Sequence, residues 1–306
     1  MRLIELLEPI DALPSGAVLV VAMDGWTDAG AGGTGAADFL RSRLPNRRIG
    51  RLPSDRLYDY RDRRPQLAID RGRLDRPVWP ELTLDLLSPT GGPDLVLLEG
   101  AEPDLAWRTL AEDLIDLTTL LGIERHVGLG SVPGPLPHTR PSLLVCTSSS
   151  SELLERFGAP HEEMVVPASC QVALEAELAR SGVETLGLWV RIPHYVAGPY
   201  PEASRQLLER MSAHLGLALD LGELDAEVEA SRTRLDLASA ASSDVVDHVR
   251  QLEALYDEQL AERGSAASGG IAPPITEAEL GDGDQLAAEI ERFLRGVGGS
   301  GGDGPA

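Results

Sequence analysis

The chain has 306 residues, enough for one large α/β domain with a smaller appendage, and 42% hydrophobic residues can fill its core although aromatics make up only 4%. Its 27 basic and 49 acidic residues leave a net charge of −22, which argues against nucleic acid or an anionic membrane as a partner. Every basic residue is arginine, which excludes a P-loop lysine, a Schiff-base lysine and a lysine general base.

The opening "MRLIELLEPI" is not expected to be a signal peptide, because Glu5 and Glu8 break its apolar run. No apolar run reaches the roughly 18 residues of a membrane span, so a cytoplasmic protein is expected. Next comes "VLVVAMDGWTDAGAGGTGAADFL", Val18 to Leu40, which begins as a buried strand and ends as a helix. Within it Gly30, Gly32 and Gly35 spell G-x-G-x-x-G. A dinucleotide fingerprint needs the strand to run straight into the first glycine, but "DGWTDA" intervenes here. Thr27 and Asp28 are good N-cap residues, so the glycines are expected in the first turns of a helix lying close on the sheet. The turn itself is the better candidate: Gly25, Trp26 and Asp28 lie between strand and helix, where open α/β sheets bind ligands. Trp26 would cover a pocket or plug the core.

Residues 41–76 hold twelve arginines against five aspartates. They form either a basic face for an acidic partner or a solvated face paired with the protein's own acids. Short alternating runs between about 45 and 93, such as "PQLAIDRGRLD" and "LTLDLL", predict a hairpin inserted at a sheet edge.

Further strands are expected at Leu95–Glu99, His126–Leu129, Leu143–Thr147 and Leu186–Val190. Trp107, Leu110, Leu114, Leu117 and Leu121 recur at helical spacing, as do Ala203, Leu207, Leu208, Met211 and Leu215. The alternation predicts a doubly wound, mostly parallel α/β sheet. Glu99 closes its strand, as a site acid or as the cap of the next helix. His138 and Arg140, in "PHTRP", could hold an anion, or Arg140 could pair with a carboxylate and fix the loop. His194 and Tyr195, in "RIPHY", could be acid/base residues or an interface wedge. With Cys146 and Cys170 the only cysteines there is no disulfide framework, and no H-E-x-x-H or G-x-S-x-G motif occurs. No metal or cofactor is expected, and no complete catalytic set marks the chain as an enzyme.

After about residue 218 the strand patterns stop. Val245, Val249, Leu252 and Tyr256 mark a helix, a flexible linker is read at 264–274, and Leu286, Ile290, Phe293 and Leu294 mark a last helix. The chain therefore divides into a body (1–218), a helical appendage (219–295) and a disordered tail (296–306).

Four ordered motifs, "GWTDAG", "LLEGAEPDLAWRTL", "PHTRP" and "WVRIPHYVAGPYPEA", together resemble the proteasome assembly chaperone 2 family. "VRQLEALYDEQ" and "GDQLAAEIERFLR" look like its longer actinobacterial branch, and the resemblance covers roughly residues 3 to 295. It implies a body similar to purine nucleoside phosphorylases, assembly as a homotrimer, and chaperone-like binding of another protein, with proteasome subunits as candidates. The family's hydrophobic–Tyr–X tail has no counterpart in the terminal "GGDGPA", so docking by tail insertion is not expected. The alternative is a nucleoside- or phosphate-like ligand site in which Asp28, Glu99, Arg140, His194 and Tyr195 converge at the carboxyl edge of the sheet.

Overall fold

Uninterrupted Val and Leu runs can only be satisfied when both sides of a strand are covered, and that is how the centre of this molecule is built. A computed structural model describes residues 1–158 and 165–265. Its strands are β1 (Glu5–Leu6), β2 (Val18–Asp24), β3 (Asn46–Arg51), β4 (Ile69–Asp70), β5 (Arg73–Leu74), β6 (Leu82–Leu87), β7 (Leu95–Ala101), β8 (Arg125–Gly134), β9 (Leu143–Ser148) and β10 (Glu184–Pro193). The helices are α1 (Gly32–Arg43), α2 (Ser54–Leu57), α3 (Trp107–Leu121), α4 (Ser151–Phe157), α5 (Cys170–Arg180), α6 (Pro201–Leu215), α7 (Gly222–Ser239) and α8 (Ser243–Ser265).

Eight strands form one sheet in the order β1-β3-β6-β7-β2-β8-β10-β9. The central four, β7, β2, β8 and β10, are parallel to one another. The flanks are antiparallel, with β1, β3 and β6 on one side and β9 on the other. The parallel character expected from the sequence thus holds at the centre, where helical crossovers bury both faces.

Side chains alternate between two cores, as the pleat requires. Val18, Val20 and Ala22 of β2 join one core with α1, α6, α7 and α8, through residues such as Leu40, Leu207, Leu235 and Leu252. Leu19, Val21 and Met23 join the other, with Leu114 of α3 and Leu174 of α5. Helix α3 ends at Gly122, whose φ of +59° lets its N–H reach back to the carbonyls of Thr118 and Thr119.

Between β3 and β6 the chain makes an excursion. Almost every residue from 61 to 79 is exposed, including the small hairpin in which Ile69 pairs with Leu74. Ile69, Leu74 and Val78 are 65%, 70% and 70% exposed. This arm carries six of the arginines in the basic run.

The C-terminal elements α7 and α8 pack on the body, where Val245, Val249 and Leu252 enter the first core. Of the linker read at 264–274, Gly264 and Ser265 finish α8. The rest of it, the helix around Leu286–Leu294 and the tail lie outside the described residues.

Candidate functional site

Strands β2 and β7 are parallel neighbours, and the helices that follow them leave over opposite faces of the sheet. Such a divergence opens a crevice beyond the strand ends, where α/β folds hold ligands. Here a side chain of the protein fills it. The backbone N–H of Glu102 donates to the carbonyl of Asp24 at 2.9 Å. The Glu102 carboxylate accepts from the N–H of Trp26 at 2.8 Å and of Cys170 at 2.5 Å. The anion position at the start of α5 is therefore occupied by an internal carboxylate. Gly25 is required beside it, because a Cβ there would collide with the Glu102 side chain. Burial and Glu102 push the Cys170 thiol up, so Cys170 stays protonated and unreactive. Above this plug Trp26 is 71% exposed. It does not plug the core.

The same turn feeds α1. Asp28 Oδ1 accepts from the N–H groups of Gly33 at 2.7 Å and Thr34 at 3.2 Å, and its other oxygen accepts from the Thr34 hydroxyl. Burial raises the Asp28 carboxyl above its ordinary pKa, against the pull of these hydrogen bonds. Two of the helix N–H groups that a pyrophosphate would need, those of Gly33 and Thr34, are already bonded. The glycines serve packing instead: a Cβ at Gly32 would strike Ser131 and Ala203, and one at Gly33 the carbonyl of Leu129.

Glu99 stands apart from this turn. It is buried, forms an ion pair with Arg41 of α1, and neighbours Asp85, which Arg48 and Arg41 also contact. Burial raises its carboxyl and Arg41 pulls it back down. Its role is to tie α1 to the sheet.

His138, Arg140, His194 and Tyr195 do come together, where the loop after β8 meets the end of β10. The Tyr195 hydroxyl accepts the backbone N–H of His138 at 2.8 Å and bonds His138 Nδ1 at 2.7 Å. His138 Nε2 lies 3.2 Å from Asp236 of α7. The His194 ring packs edge-on against Tyr195 and against His248 of α8, with centroids 5.5 and 5.6 Å apart. Arg140 forks onto Asp257 of α8 at 3.0 and 2.8 Å and reaches Glu253 at 3.2 Å. Thr139 donates to Glu253 at 2.5 Å, and Tyr256 donates to the carbonyl of Pro141 at 2.9 Å. The loop is a socket for the two C-terminal helices, and Arg140 is bonded to carboxylates within the chain. A cavity of about 170 Å³ remains beside it, lined by His138, Arg140, Tyr200, Glu202 and Arg232 among others.

The eight candidates thus fall into three places: Gly25, Trp26 and Asp28 in one turn, Glu99 against α1, and the remaining four in the socket. Sequence reading missed Glu102, although "EGAEP" places it just after a strand, and it missed the carboxylates of α7 and α8. It also missed Glu175 of α5, which accepts from the Thr147 hydroxyl at 2.7 Å and which burial pushes up to about 7. Among the described residues no group of three or more His, Cys, Asp or Glu is placed to hold a metal, and no helix is long and apolar enough to cross a membrane.

Comparison with known proteins agrees with this architecture. The family model for the PAC2 family matches residues 22–238. A Mycobacterium tuberculosis protein of unknown function is 34% identical, with a TM-score of 0.80 over 85% of this chain and 92% of its own. A Mycobacterium tuberculosis proteasome-assembly chaperone homologue is 27% identical, with a TM-score of 0.70 over 76% of this chain and 99% of its own. A Pyrococcus furiosus archaeal proteasome activator shares the fold, with a TM-score of 0.61 at 14% identity over 77% of this chain and 98% of its own. No curated protein matches the chain.

Proposed function

Because the chain belongs to the PAC2 family, we propose that it is a chaperone-like protein that binds another protein, with proteasome components as the partner class. The observation that carries this reading is the plugged crevice: Glu102 fills the position of a small ligand while Trp26 stands exposed over it. An exposed Trp beside a rigid turn is the kind of side chain that anchors protein interfaces. The exposed arm supplies a second surface, in which Ile69, Leu74 and Val78 stand among arginines. The partner class follows from the relative described as a proteasome-assembly chaperone homologue. A cytoplasmic homotrimer without cofactor belongs to the same reading. The nucleoside or phosphate alternative is disfavoured, because Asp28, Glu99 and Arg140 are each engaged by local partners.

Native mass spectrometry of the purified chain mixed with proteasome α-subunits of its own organism tests the proposal. The expected result is a complex whose affinity falls at least about 30-fold on Trp26→Ala, the loss of a hot spot worth about 2 kcal/mol. Absence of any complex at micromolar concentration, or a complex indifferent to Trp26→Ala and to loss of the arm, would overturn it.

A further inference from the structure

We propose that His138 is a proton-operated latch, holding α7 and α8 on the body when its ring is neutral and releasing them when it is protonated. The hydrogen-bond chain selects the form that fits. The Tyr195 hydroxyl accepts the backbone N–H of His138 and lies 2.7 Å from Nδ1, and the latch assigns the hydroxyl hydrogen to that nitrogen. Nδ1 is then a bare acceptor, and the hydrogen of the neutral ring sits on Nε2, directed at Asp236 of α7. A proton on Nδ1 would set two donors against the Tyr195 oxygen and turn its hydroxyl hydrogen away from the ring, breaking the O–H···Nδ1 bond. Tyr195 is fully buried and the His138 side chain is 1% exposed, so bulk solvent does not bathe the Nδ1–hydroxyl contact, and only the cavity bordering His138 could admit water beside it.

The charges around the ring come from every element that meets it. Asp236 of α7 and Glu253 of α8 favour the imidazolium, whereas Arg232 of α7 opposes it. Arg140 lies on the same loop, Glu202 of α6 lines the adjoining cavity, and His194 and His248 stand beyond Tyr195. Burial outweighs the carboxylates and holds the ring below its ordinary pKa near 6.5. The sign follows: once undocked, the ring takes up a proton more readily than in the docked form. Docking is therefore strongest above pH 6.5 and weakens as the pH falls below it. The neighbouring Thr139, Arg140 and Pro141 hold α8, so a loop that shifts to relieve His138 loosens both helices.

Hydrogen exchange of residues 222–261 tests the latch at pH 7.5 and 5.5, corrected for intrinsic rates and referenced to β2 and β8. Protection of α7 and α8 is expected to fall in the wild type by up to about tenfold, the ceiling for one proton whose undocked pKa lies near 6.5. H138Q keeps a donor toward Asp236 and has nothing to titrate, so its protection should not change with pH. An unchanged wild type, or an equal loss in H138Q, overturns the proposal. Should H138Q not fold, nitrogen-detected NMR of the wild-type ring decides. An Nε2–H tautomer whose titration midpoint coincides with helix release supports the latch, and a ring still neutral after release refutes it.

Discussion

Asp28, chosen from sequence as a cap, is bonded as one, but to residues five and six positions on rather than to the adjacent turn. Asp28→Ala should therefore cost about 1–2 kcal/mol, the range of a lost N-cap, read as a lower denaturant midpoint at unchanged slope. Gly33→Ala should cost more, because its methyl would meet the Leu129 backbone, which cannot rotate away as a side chain could. Glu175 makes a prediction with pH. Its carboxyl is pushed from 4.5 to about 7 in the folded chain, so stability is lost as the pH rises through that window. E175Q should consequently gain in melting temperature over the wild type at pH 8 and lose that gain at pH 4.5; a difference that does not vary with pH would contradict the burial argument. Local chemistry such as the Asp28 cap was legible because its partners are a few residues away. Glu102 was not, because its meaning depends on Trp26 and Cys170, 76 and 68 positions distant.

The strands that could be read are those with uninterrupted apolar runs, and β2, β7, β8, β9 and β10 each contain the predicted segment. Their ends extend further than the apolar pattern because hydrogen bonds to neighbours continue past it, as in β8, which pairs with β10 through Gly134. The antiparallel direction of β9 left no mark in its composition. Helix α7 was not singled out: it buries Leu224, Leu235 and Ala238, too sparse a stripe to stand out among its many charges. The socket was hidden for a different reason. Arg140 meets carboxylates more than a hundred residues away, so the sequence could only leave open whether it held an anion or a side chain. Apolar contact fastens this joint alongside the His138 and Arg140 bonds. Leu252→Ala, at a buried position, should cost about 2–4 kcal/mol. The loss should appear first as faster hydrogen exchange in α7 and α8, with β2 still protected.

At the scale of the whole molecule, the net charge conceals a division of labour. The arm between β3 and β6 is basic and apolar, while α7 and α8 are rich in carboxylates that face both the socket and solvent. The fold class was legible from the alternation of strands and helices. The arm's exposure was not, because the alternating runs around Ile69 and Leu74 predicted a hairpin at the edge of the sheet, whereas β4 and β5 pair with each other outside it. Exposure on that scale also makes the arm a site for protease footprinting. Trypsin can cut this chain only after arginine, and the arm offers Arg61, Arg63, Arg71 and Arg73, whereas Pro65 and Pro77 guard Arg64 and Arg76. A brief digest of the free protein should nick there first. The two halves should then stay together, since β3 and β6 remain paired within the sheet. A partner seated on the arm would silence those cuts while leaving distant ones unchanged, so a fragment pattern alone would outline its footprint.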